Sequence, residues 1–218
     1  MADGRQVEDR LREEYFDVLP DIRRAVLETE TRIRGDLLEI SLNLQRYERL
    51  IVTSRVKECD SALDSLRRRQ QYGRFDQNGT YSIRHLRDLA AVRVLVFPHQ
   101  RLQEVELALR PSLVSWTTDP VTGTSDEEEP LALKYYGKWN KSSLVTAEIQ
   151  IVPLLVGLFW EVEHSAMYKP NPNVHGAVRR ESVIQRRNDV LAALSAFESE
   201  FEKAILEGQE SSASDMSS

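Results

Sequence analysis

At 218 residues with 41% apolar side chains, the chain is long enough for one domain with a real core. A formal net charge of −6 excludes a globally basic surface for duplex DNA, although a local phosphate pocket stays open. The single cysteine, Cys59, excludes an internal disulfide and a cysteine-rich zinc site.

The start, MADGRQVEDR, is charged and lacks the apolar core of a signal peptide. No apolar run reaches the about 18 residues of a membrane span. The expectation is a soluble, cytoplasmic protein with no membrane contact. Across residues 6–50, Leu11, Tyr15, Val18, Ile22, Val26, Ile33, Leu37 and Leu38 recur at three-and-four spacing among dense charge. That pattern predicts amphipathic helices, broken near Pro20 and Gly35. Residues 50–56 read as a strand, and about 60–70 as a helix with Asp60 as its N-cap.

Residues 72–80 (YGRFDQNGT) form a loop, and 90–97 (AAVRVLVF) a buried strand interrupted only by Arg93. A helix over 99–110, a short strand over 113–117 and a polar loop over 119–130 follow; its acidic run 126–129 reads as solvated. Residues 131–139 and 144–152 read as two strands of a hairpin. Pro153 suits the first turn of a helix ending near 168, and Pro170, Pro172 and Gly176 then break the chain. A long amphipathic helix over 177–206 and a disordered tail complete it.

The order predicts an α/β (mixed α+β) fold: a mixed β-sheet flanked by helices. Its expected parts are an N-terminal helical segment 1–49 packed on the core, a main domain 50–207 and a tail 208–218.

Three polar sites interrupt the apolar strands. Arg55 and Lys57 share a face where the first strand gives way to a helix, and Ser61 near that helix start is within reach of a phosphate. The alternative is a pair of solvated cations. Asp88 stands at the mouth of the strand that contains Arg93, and an arginine there needs a counter-anion, either a structural carboxylate or a bound phosphate. Glu148 and Gln150 fall on one face of the strand 144–152, where a carboxylate is costly unless paired or holding a metal. The bland reading is a glutamate at a solvated strand end. Two acids on neighbouring strands suit one magnesium ion together with substrate phosphate.

In order, the elements RVKECDS, DLAAVRV, EIQI and WEVEHSAMYK, spread over about residues 50–170, resemble the RelA/SpoT synthetase family. That family makes the alarmones (p)ppGpp on a nucleotidyltransferase-like fold. The resemblance implies a stand-alone, magnesium-dependent pyrophosphokinase that moves the β,γ-pyrophosphate of ATP to a 3′-hydroxyl. It implies that Arg55, Lys57 and Ser61 bind ATP, with Arg93 on its phosphates. Asp88 would hold Mg2+, and Glu148 would hold Mg2+ or activate the attacking hydroxyl. Gln150 would shape the nucleotide site, and Glu163, His164 and Lys169 would line the acceptor side or brace the fold. His164 also reads as a core or hinge histidine, with Trp160 and Tyr168 at four-residue spacing.

Two departures stand out. The family's lysine four residues after the serine is Ser65 here, so Arg67, beside Arg68 and Arg69, is the candidate replacement. The family's Gly-Tyr-Arg-Ser-x-His strand is replaced by LKYYGKW at 133–139. There Tyr136 or Tyr135 would stack on the acceptor base, with Lys134 or Lys138 near a phosphate. Equally, the tyrosines divide between the two faces of the strand.

Three readings remain open. The acceptor is GDP or GTP, or an adenosine nucleotide. Alternatively, a toxic relative modifies the 3′ end of tRNA through the clusters Arg67 to Arg69, Arg179, Arg180, Arg186 and Arg187, with an antitoxin as partner. The third is a silent nucleotide sensor or partner-binding module, against which Asp88 and Glu148 argue. The terminal helices are the expected surfaces for a homo-oligomer or a regulator.

Overall fold

The computed structural model describes residues 4–71, 82–121, 132–163 and 180–215. The chain opens with α1 (Gly4–Asp36), and α2 (Leu38–Leu42) follows almost directly. The expected break near Gly35 occurs between these two, but none occurs at Pro20, which lies inside α1. Pro20 and Phe16, whose carbonyl it deprives of a donor, are both on the exposed side, where water can take the missing bond. The opposite side buries Leu11, Tyr15, Val18, Ile22 and Ile33, and that packing holds the helix together across the proline.

Next come β1 (Arg49–Val56), α3 (Cys59–Gln71), β2 (Ala90–Phe97), α4 (Arg101–Leu109), β3 (Thr117–Val121), β4 (Ala132–Gly137) and β5 (Ala147–Pro153). The chain then forms α5 (Leu154–Glu163) and α6 (Glu181–Asp215). Asp60 sits within the first turn of α3 rather than capping it, and pairs with Arg12 of α1 at 2.7 Å. The strand expected at 113–117 is displaced: Arg110–Leu113 is a 3-10 turn and pairing begins at Thr117. β3 is an exposed edge strand that tolerates Pro120, so its existence depends on β4 and not on an apolar pattern of its own. Helix α6 runs past the expected end at residue 206 to Asp215, through Gly208 and the residues read as a disordered tail.

The strands form one mixed sheet in the order β1-β2-β5-β4-β3, with β2 parallel to β5 and every other pair antiparallel. Two of its three interior strands are the apolar runs 90–97 and 147–153, and all seven residues of β5 are buried. One face packs Val92, Val94, Ile149 and Ile151 against α1, α3 and α4 in the main core. On the other, Leu95, Ala132 and Val152 meet Val156 of α5, with Leu191 of α6 packed against them. Only part of that second face is apolar, and the remainder forms the site. Among the described residues, no helix is long and apolar enough to cross a membrane.

Candidate active site

The sheet register builds the site row by row. Arg55, Ala91, Glu148 and Tyr136 align across β1, β2, β5 and β4. The next row on that face is Thr53, Arg93, Gln150, Lys134 and Asp119, and the one after it is Ile51, Leu95, Val152, Ala132 and Val121. Because side chains alternate along a strand, two polar rows and one apolar row share a face. Ala91 lies between Arg55 and Glu148, where its small side chain leaves room. The apolar row seats α5, whose Trp160, Glu161 and Glu163 line one side of an open cavity of about 940 Å³ over the polar rows. Such a volume is ample for nucleotide-sized ligands.

Six cations line the cavity: Arg55, Arg69, Arg87, Arg93, Lys134 and Arg187. Five acids join them: Asp88, Asp119, Glu148, Glu161 and Glu163. Most of these charges are already arranged by protein partners. Arg93 donates from Nε to Gln150 Oε1 at 3.0 Å and from Nη1 to Glu161 at 3.1 Å. Burial nevertheless pulls its pKa below the usual arginine value. Of the two expected kinds of counter-anion, the structure supplies a carboxylate, Glu161. Glu163, 8% exposed, accepts from Arg187 Nε of α6 at 2.6 Å. Lys134 has no hydrogen-bond or ion-pair partner among the described residues, which leaves a cation available for a ligand.

Asp88, just ahead of β2, is clamped by a short ion pair with Lys57. Burial pushes the Asp88 carboxyl up, but the Lys57 ammonium, helped by Arg55 and Arg69, outweighs it and holds the group below the usual carboxylate range. One oxygen of each key acid stays unpaired: Asp88 Oδ1 and Glu148 Oε2 are buried without a hydrogen-bond partner. A buried carboxylate oxygen with no donor costs about 1–3 kcal/mol, more when charged, so two in one cavity need a physical reason. Tyr136 donates its hydroxyl to Glu148 Oε1 at 3.0 Å, and burial, followed by the Glu148 charge, pushes its pKa well above the ordinary phenol value. Tyr135 points to the other face and donates to Glu106 at 2.9 Å. The two tyrosines thus divide between the faces.

Of the residues singled out in the sequence, the cavity gathers Arg55, Asp88, Arg93, Lys134, Tyr136, Gln150, Glu148 and Glu163. Lys57 stands behind Asp88, and neither Lys57 nor Ser61 is on the wall. Arg67 points away and pairs with Glu8 at 2.6 Å and Asp64 at 2.8 Å, while Arg69 takes the place at the cavity. Two residues along a helix is a turn of about 200°, which puts them on opposite sides of α3. Arg187 faces the cavity and Arg186 pairs with Asp189, so these two do not form one basic patch. His164, Lys169, Arg179, the loop 72–80 and the acidic run 126–129 lie outside the described residues.

Sequence reasoning placed Arg69 only beside the preferred Arg67 and in a basic cluster, and it missed Arg87, Asp119 and Glu161 as site residues. Only helical phase was available to find Arg69, and nothing local distinguishes Glu161 from a solvated glutamate.

Among the solved structures to which the chain is similar is the small alarmone synthetase 1 from Bacillus subtilis bound to its product pppGpp. It has 22% identity and a TM-score of 0.66 over 89% of this chain and 98% of that one. The same synthetase bound to AMPCPP gives 22% and 0.58 over 89% and 99%. A GTP pyrophosphokinase family protein from Streptococcus pneumoniae gives 21% and 0.60 over 90% and 96%. The chain has the fold of the small alarmone synthetases over most of its length. No protein-family model matches the chain, and no curated protein sequence matches it.

Proposed function

We propose that the chain is a RelA/SpoT-type synthetase acting in the cytoplasm, an ATP-dependent pyrophosphokinase that uses Mg2+ and a guanosine or adenosine nucleotide as acceptor. The observation that carries this reading is the pair of unpartnered buried oxygens, Asp88 Oδ1 and Glu148 Oε2, in a cavity rich in cations. Among the described residues no three metal-ligating side chains cluster. Two carboxylates with open positions suit magnesium, which keeps water and substrate phosphate in its shell. Asp88 and Glu148 are the residues that would hold it, and when bound it would neutralise phosphate charge.

The chain's own residues supply the rest. Arg55, Arg69 and Arg87 present positive charge beside Asp88 for the triphosphate of ATP, and Arg93, fixed by Gln150 and Glu161, extends it. Lys57 acts from behind by keeping Asp88 ionised. Lys134, Gln150 and Glu163 form the acceptor side. In the reaction, the acceptor 3′-oxygen attacks the β-phosphorus of ATP. The bond from that phosphorus to the α,β-bridging oxygen breaks, and AMP leaves. Glu148 takes the hydroxyl proton.

The test is thin-layer separation of products from γ-labelled ATP with Mg2+ and, in separate tubes, GDP, GTP, AMP, ADP and tRNA. Label moving to a free nucleotide, with release of AMP, is the expected result. Label moving only to tRNA reassigns the acceptor, and label staying on ATP in every tube refutes transfer.

A further inference from the structure

Tyr136 lines the cavity and is the aromatic residue that the sequence suggests for stacking on an acceptor base, yet its surroundings are poorly suited to that task. Its ring already carries the Arg87 guanidinium, whose central carbon lies 5.5 Å from the ring centroid. Its hydroxyl is committed to Glu148 Oε1 at 3.0 Å, across a direct β4–β5 register pair. Glu148 itself is 3% exposed, and Tyr136 is the side chain that donates to it. A base-stacking residue needs only a flat face, which phenylalanine supplies equally; a hydroxyl aimed at a buried carboxylate does something else.

We propose that Tyr136 is a positioning residue for Glu148: its hydroxyl ties down Oε1 and thereby leaves Oε2 to face the reacting hydroxyl. This inference rests on the pyrophosphoryl-transfer reading. A carboxylate on a flexible three-bond side chain can rotate about its last bond, exchanging its two oxygens. A donor on one oxygen, with Arg87 bracing the donor's ring, removes that freedom before substrate arrives. The chain thus replaces a stacking contact to the base with an orienting contact to the acid.

The experiment compares kcat and acceptor KM for the unaltered protein, Tyr136→Phe and Tyr136→His, with ATP binding measured in parallel as a check on folding. Phenylalanine keeps the ring and loses the hydroxyl; histidine keeps an aromatic face too short to reach Glu148. Both variants are expected to lose kcat by about 10- to 100-fold, the worth of a hydrogen bond to a charged group, with acceptor KM within about 2-fold of the unaltered protein. In a Glu148→Gln background, Tyr136→Phe is expected to cost little more, because its effect passes through the acid.

A Phe variant with unchanged kcat overturns the proposal, as does a His variant that raises KM while kcat holds. Equal losses from Tyr136→Phe with and without Glu148 would also overturn it and assign the tyrosine a purely structural role. Absence of transfer by the unaltered protein overturns the function reading itself, and this inference with it.

Discussion

Replacing Glu148 with glutamine exchanges one oxygen for an amide nitrogen in a side chain that is 3% exposed. The Tyr136 hydroxyl, 3.0 Å from Oε1, still finds an oxygen to donate to, so the β4–β5 contact survives. The variant loses the negative charge and the proton acceptor. A positioned general base is worth about 10²- to 10⁴-fold, and a weakened metal site adds to that, so kcat should fall at least about 10²-fold. Stability should move the other way. Oε2 is buried with no donor, an arrangement that costs about 1–3 kcal/mol or more when the group is charged. A neutral amide facing the cavity lowers that cost, so the free variant should be at least as stable as the unaltered chain. A gain of about 1 kcal/mol would appear as roughly 2–4 °C in Tm for a domain of this size. Melting curves without ATP or Mg2+, run beside the label-transfer assay, read both effects. Transfer within about fivefold of the unaltered protein, or a Tm several degrees lower, would refute the reasoning, because Glu148 would then be serving the fold and not the chemistry.

Arg69→Ala should weaken ATP binding about 10-fold or more, whereas Arg67→Ala should change it less than about 2-fold, because only Arg69 reaches the cavity. Titration with ATP checks this, and the reverse order would move the donor site to the other side of α3. Burial pushes the Glu198 carboxyl up to about 7, against a hydrogen bond from the Leu155 backbone and with Glu202 adding to the rise. The folded chain therefore keeps a proton that the unfolded chain gives up near pH 4.5, so this contribution is full below that value, declines as the pH rises, and is lost above about pH 7. Glu198→Gln should flatten the slope and gain up to about 3 kcal/mol at pH 8, as read by urea unfolding at pH 5 and pH 8; parallel pH profiles for the two proteins would contradict it. A Cβ on Gly137 would lie 2.3 Å from the Trp116 ring, so Gly137→Ala should cost about 1–3 kcal/mol in the same assay, and an unchanged midpoint would show that the ring yields freely.

Much of the frame was legible in local pattern. The β-branched runs at 90–97 and 144–152 predict two of the interior strands, because a strand buried on both faces has no room for polar alternation. The exceptions inside those runs, Arg93, Glu148 and Gln150, are the residues that line the cavity, since a charge in such a strand persists only where something answers it. Period-two alternation also put Glu148 and Gln150 on one face before any partner strand was known.

Other features were not local. Pro20 reads as a helix breaker, but the buried side of α1 outweighs one lost hydrogen bond on its exposed side. β3 carries no strand pattern of its own and exists through its pairing with β4. The choice of Arg69 over Arg67 follows from how α3 is rotated against the sheet, and the arrival of Arg187 from where α6 lies. Local pattern sets which segments must be buried and which charges within them demand an answer, because burial and alternation act over a few neighbouring residues. What answers them comes from packing at a distance: register sets the Glu148–Tyr136 pair and helix packing the Arg93–Glu161 and Glu163–Arg187 pairs, contacts between residues that no local periodicity relates.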